Sequence, residues 1–205
     1  TYIKDNYLEH TQFGDSKYQT APVIGINTGI RDTARRISDL GLDAIEFLGT
    51  TILDIGCNGG QFLNYALSRG ARYGCGVDWP KVATAAQFVS NYLGHFNISY
   101  HGHPLHDGFP RLAFREEPYD LILMLSMTTH IGTPEYLHTL GRRMILEINH
   151  PHQVDGALMA IEQNWWYDDF GKAKDHGDRK IFHCFNKKYH TRQPSSRKGI
   201  GGVNC

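Results

Sequence analysis

Three places in this chain hold residues whose types and spacing can do chemistry. The first is "LDIGCNGGQF", where Asp54 nearly closes an apolar run and Gly56, Cys57, Asn58, Gly59 and Gly60 follow at once. A turn so poor in side chains leaves backbone N–H groups bare just before a helix, and a ligand can lie directly against the main chain there. The second is Asp78 in "GVDW", about 20 residues further on. At that separation an acid ending the next strand accepts hydrogen bonds from ribose hydroxyls in α/β nucleotide sites. Trp79 beside it offers a ring face for a base. The third comprises Ser126 and His130 in "SMTTH" and His150 in "NHPH", each just past an apolar run. Histidine titrates near neutrality, so His130 and His150 are the candidate general bases.

These residues need elements to position them. Thr51–Ile55 is a short apolar run rich in β-branched residues and reads as a strand; Gln61–Ser68 reads as a helix. Strand and helix then alternate. Arg72–Asp78 is a strand, Lys81–Leu93 a helix, and Asn97–His101 a strand. "YDLILMLS", Tyr119–Ser126, is nearly all apolar, as a strand buried on both faces should be. Pro134 opens a helix ending at Gly141, Arg143–Ile148 is a strand, Val154–Trp165 a helix and Ile181–Phe185 a late strand. Trp165-Trp166-Tyr167 is read as packing against the sheet. Upstream, Asp32 caps a helix that Gly41 stops, and a further helical turn is expected around Ala44–Leu48.

The alternation predicts an α/β fold: a single domain with a mostly parallel, doubly wound sheet of about seven strands and helices on both faces. Residues 1–47 form an N-terminal arm with helices, 48–190 the core, and 191–205 a basic tail. Ligands in such sheets bind beyond the carboxyl ends of the strands, where all three candidate places fall.

The turn narrows the cofactor. A phosphate loop needs G-x-x-x-x-G-K-[ST], and no Lys or Ser/Thr follows Gly60 in that way. A dinucleotide turn needs G-x-G-x-x-G, and Asn58 stands where the second Gly belongs. The pattern D-x-G-x-x-G-G, with Asp78 one strand later and "YDLILMLS" and "RRMILEINH" following in order, resembles motif I and its sequel in the class I (Rossmann-like) S-adenosylmethionine-dependent methyltransferases. The likeness spans roughly 48–150. It implies S-adenosyl-L-methionine as cofactor, with Gly56, Cys57, Asn58, Gly59 and Gly60 against its methionine and ribose portions. It further implies Asp54 ordering the loop or the amino group, Asp78 on the ribose, Trp79 on the adenine and Ser126 at the rim. Asn58 fits if its position takes positive φ. The family's acid for the adenine amino group falls in "SYHGHPLHDGFP", where His103 stands at the expected place and Asp107 comes four later; Asp107 or a backbone carbonyl takes that part. "SMTTH" is also similar to the S-M-x-x-x-H of methyltransferase-like enzymes acting on wobble uridine of transfer RNA.

Composition sets the remaining bounds. The 205 residues carry 21 Lys/Arg and 21 Asp/Glu, so no global field selects a partner. From Gly171 onward nine Lys/Arg face two Asp, a local excess of +7 that is compatible with RNA or with a solvated surface. The four cysteines are scattered, no run suits a membrane span and no secretory pattern opens the chain. A cytoplasmic, soluble protein is expected, with no membrane partner. The histidines at 101, 103 and 106 lack the Cys or carboxylate set that would complete a metal site, and none is expected. No N-P-P-[YF]-like sequence follows the fourth strand, which argues against DNA-type base flipping. The acceptor, small molecule or RNA, stays open, as do two rival functions: a nicotinamide-dependent oxidoreductase, and a cofactor-binding or degenerate module acting through partner or RNA contact.

Overall fold

A computed structural model describes residues 5, 12–13, 16–103, 117–174 and 177–191 of the chain. Its centre is a seven-stranded sheet. The strands are β1 (Thr51–Ile55), β2 (Tyr73–Asp78), β3 (Ile98–Gly102), β4 (Tyr119–Leu125), β5 (Gly141–Ile148), β6 (Trp165–Lys172) and β7 (Lys180–Asn186). Their order across the sheet is β3-β2-β1-β4-β5-β7-β6. The helices are α1 (Thr33–Asp39), α2 (Gln61–Ser68), α3 (Pro80–Tyr92), α4 (Thr128–Ile131), α5 (Leu137–Leu140) and α6 (Val154–Ile161).

The strands from β3 to β5 pair in parallel, whereas β7 runs antiparallel to both β5 and β6. The sheet is therefore mixed: mostly parallel and seven-stranded, as expected, but with β7 reversed. The cause is local. The segment between β6 and β7 is too short for a crossover helix, and a short connection can join only antiparallel neighbours.

Sequence alternation placed most elements within a residue or two, and α2 matches residue for residue. Three readings need correction. The helix at Val154 ends at Ile161, and Trp165 opens strand β6 instead. Its aromatic run "WWY" favours a strand, and it pairs with β7 from Trp165 to Lys172. The helix placed from Pro134 shrinks to α5, and Gly141 begins β5 rather than ending a helix. The turn expected at Ala44–Leu48 is a 3-10 turn at Leu42–Ala44.

Successive side chains alternate across the sheet, so it carries a core on each face. One face holds Leu53, Ile55, Ile122, Met124, Met144 and Leu146 under α6. The other holds Ile52, Leu121, Leu123, Leu125 and Ile145 with Leu40, Leu42, Phe47, Phe62 and Leu63. The segment around α1 thus shares a core with the sheet. Asp32 caps α1, accepting from the Arg35 N–H at 3.2 Å, as the sequence predicts. Asp107 lies outside the described residues, as does most of the basic tail. Among the described residues no helix is long and apolar enough to cross a membrane, and no group of three or more His, Cys, Asp or Glu is placed to hold a metal.

Candidate active site

The turn after β1 is held by backbone alone at its root. The Gly56 and Cys57 N–H groups donate to the Val77 carbonyl at 2.8 and 3.1 Å, tying the turn to β2. Gly56 (φ 77°), Asn58 (φ 47°) and Gly60 (φ 71°) all occupy the left-handed region, so the condition set on Asn58 is met. The Asn58 side chain then accepts from the Gly59 N–H at 2.7 Å and stiffens the loop. Gly60 is also the N-cap of α2, and a Cβ there would run into the Tyr100 hydroxyl. A Cβ on Gly56 would likewise meet the Met127 sulfur. Both glycines are required by positive φ and by close approach together.

Gly60→Ala is accordingly expected to cost about 2 kcal/mol or more, from left-handed strain and from displacement of Tyr100 off its 2.9 Å bond to the Ser90 hydroxyl. Urea unfolding of the variant would measure it, and an unchanged midpoint would disprove the tight approach.

Asp78 closes the elbow. Its Oδ2 accepts from the Asn58 N–H and its Oδ1 from the Trp79 N–H, both at 2.7 Å. Burial pushes this carboxyl up, while the two backbone donors and the charge of His130 pull the other way. His130 lies on α4, just past the end of β4, and is exposed. Trp79, next to Asp78, is 44% exposed.

Asp54 lies beneath the turn with 1% exposure, and among the described residues its Oδ2 has no hydrogen-bond partner. Burial, reinforced by the negative charge of Asp78 and opposed by Arg36, pushes its pKa up to about 8. A buried carboxylate oxygen without a donor is costly. Such an oxygen can take a cation or an N–H group.

The end of β4 is pinned differently. Ser126 has φ 62°, and its hydroxyl donates to Glu147 Oε2 at 2.6 Å. Glu147, 0% exposed, also takes Arg31 on Oε1 at 3.0 Å and Arg36 on Oε2 at 2.5 Å. An Arg179 Nη donates to Ser126 Oγ from the hairpin before β7. Ser126 is thus engaged by an ion network that sequence reasoning did not find. The available signal was Glu147 itself, a lone acid inside the apolar "RMILEI". Thr128 ties the loop after β4 to that after β5, its hydroxyl lying 3.2 Å from both Asn149 Oδ1 and Gln153 Oε1.

The fold thus gathers Asp54, the 56–60 turn, Asp78 and Trp79 at the ends of β1 and β2, and Ser126 and His130 at the end of β4. His150 stands apart, past β5, exposed and stacked on His152 with ring centroids 5.3 Å apart.

No family model and no curated protein matches the sequence. Solved structures do match. The chain superposes on WbdD, a bifunctional kinase-methyltransferase, with a TM-score of 0.69 at 22% identity over 90% of this chain and 47% of that one. The chain has the class I methyltransferase fold. Magnesium protoporphyrin IX methyltransferase from Synechocystis PCC 6803, solved with bound S-adenosylmethionine, gives 0.57 at 18% identity over 75% of this chain and 77% of that one. A putative S-adenosylmethionine-dependent methyltransferase from Listeria monocytogenes gives 0.58 at 14% over 75% and 98%. The chain spans about half the length of the WbdD structures. The bare turn and the acid that ends β2 lie at the carboxyl ends of the parallel strands, the edge where open α/β sheets take ligands.

Proposed function

We propose that this chain is an S-adenosylmethionine-dependent methyltransferase that moves a methyl group by in-line displacement to an oxygen or nitrogen acceptor. The observation that carries the reading is the elbow itself. A bare-backbone turn is locked to the Asp78 carboxylate, above a buried Asp54 oxygen that has no partner among the described residues.

The residues present fit this cofactor. Asp78 keeps lone pairs beyond its two backbone donors and can accept from ribose hydroxyls. The 56–60 main chain offers polar contacts with no side chain in the way. Asp54 meets the need of an α-amino cation, and Trp79 presents its ring to adenine. A relative of the same fold was crystallised with S-adenosylmethionine and with S-adenosylhomocysteine, which supports the choice. When bound, the cofactor supplies a methyl group already activated on a cationic sulfur. The chain's own task is alignment, worth most when the reacting atoms are held near 3 Å apart. The acceptor lies over Ser126–His130 and Asn149–His152. His130 is the base for an acceptor that must lose a proton, with His150 as the outer alternative.

Calorimetry tests this directly. S-adenosylhomocysteine is expected to bind and NAD is not. Asp78→Ala should weaken binding ten-fold or more, about 1.4 kcal/mol, through loss of both ribose contacts and loop anchoring. Preference for NAD, or an unaltered affinity in the variant, would remove the assignment.

A further inference from the structure

The methyl-transfer reading leaves one guanidinium at the rim of the site unused. Arg179 sits just before β7, half-buried, and donates to the Ser126 hydroxyl at the end of β4. Ser126 in turn gives its proton to Glu147, whose two oxygens already hold Arg31 and Arg36. Arg179 therefore touches a hydroxyl and not a carboxylate. The cations on either side of it in the hairpin are paired: Lys172 with Asp178 at 3.0 Å and Lys180 with Asp169 at 2.6 Å. Among the described residues the bond to Ser126 is the one side-chain hydrogen bond of Arg179.

A guanidinium has five donors in a fixed fork, matched to two oxygens of a carboxylate or phosphate. With one Nη fixed by Ser126, the remaining donors are held in place and not yet spent. The orientation is also preset, because Ser126 is itself fixed by its left-handed backbone and by Glu147.

We propose that Arg179 anchors an oxyanion acceptor, a carboxylate or a phosphate ester, beside Ser126 in the methyl-transfer site. This rests on the methyltransferase reading and names its substrate class. An acceptor oxygen attacks the methyl carbon; the O–C bond forms as the C–S bond breaks, and the C–S electron pair stays on sulfur as a neutral thioether. The acceptor loses one negative charge and the sulfonium its positive one. No proton moves, since carboxylates and phosphate esters are already ionised at neutral pH. His130 and His150 need not act as bases for such an acceptor. Arg179 is a binding and orienting residue, holding an oxygen that does not react while another is presented to the methyl.

The test uses the full chain saturated with S-adenosylhomocysteine and titrated by calorimetry with benzoate and, separately, phenyl phosphate at fixed ionic strength. One of the two is expected to bind, which also separates carboxylate from phosphate. Arg179→Gln should weaken that binding about ten-fold or more while shifting S-adenosylhomocysteine affinity by less than about three-fold. Arg179→Lys keeps the charge and loses the fork, so an intermediate affinity is expected; it also serves if the glutamine variant does not fold. S-adenosylhomocysteine binding with neither anion bound, or either variant binding the anion as tightly as the parent, overturns the inference alone. Failure of S-adenosylhomocysteine to bind the parent chain overturns the methyltransferase reading and this inference with it.

Discussion

Glu147→Gln is expected to destabilise the domain by about 3–5 kcal/mol, the cost typical of removing one partner from a buried ion cluster. Glutamine keeps the shape of the side chain but removes the charge that Arg31 and Arg36 share. Two guanidiniums, 0% and 5% exposed at the side chain, would then face each other with no Glu147 charge between them. A small domain has about 5–15 kcal/mol in total, so such a loss removes much of the margin. Ser126 loses its acceptor at the same stroke, so the rim of the site loosens with the core. Urea unfolding at neutral pH would measure the loss; a midpoint within error of the parent would show that the network adds nothing.

The pH dependence carries a second signature. Burial alone would raise the Glu147 carboxyl, but Arg36, Arg31, the Ser126 hydroxyl and Arg179 together outweigh it and hold the pKa below its ordinary value of 4.5. A depressed pKa means stability that is present above the unfolded value and lost as pH falls through the folded one. Parent and variant should therefore converge in acid.

Asp54→Asn is expected to do the opposite: stabilise the cofactor-free protein while weakening cofactor binding. With a folded pKa of about 8 against 3.8 in the unfolded chain, Asp54 stays protonated in the fold while the unfolded chain ionises. Stability is therefore full below pH 3.8 and declines as pH rises to about 8. At about 1.4 kcal/mol per pKa unit the accumulated penalty is on the order of 5 kcal/mol. The buried amide returns some of this as its own desolvation cost, about 1–3 kcal/mol. A net gain of about 2–4 kcal/mol at pH 8, absent at pH 4, is the expected result of paired urea titrations. S-adenosylhomocysteine affinity should meanwhile rise with pH up to about 8 in the parent, as the ligand's amino cation draws the proton off Asp54, and lose that slope in the variant. A pH-independent difference in stability would show that Asp54 ionises freely in the fold. Retaining such a carboxylate at a cost in stability is the usual mark of a functional site.

The two substitutions divide what was legible from what was not. Asp54 could be singled out because its signal is local: an apolar β-branched run, one acid and a glycine turn within a few residues. Asn58 could be given a backbone conformation in advance, since a bare turn tolerates few residue types at positive φ. Strands β1, β2 and β4 and helix α2 were legible for the same reason, each announcing its own period. Strand β6 was not. Its aromatic run follows a helix without a strong break, and only pairing with β7 makes the extended form pay. Glu147 and Arg31 lie 116 positions apart, and no local pattern links them.

The sequence by itself determined the elements around the elbow, the order in which they occur and the acid one strand later, because secondary structure and turn chemistry depend on neighbours a few residues apart. Only the tertiary structure decided the reversal of β7, the burial of three charged side chains about Glu147 and Ser126, and the arrival of Arg179 at the rim of the site. Those depend on which distant segments exclude water together, and burial of that kind becomes visible once the chain has closed on itself.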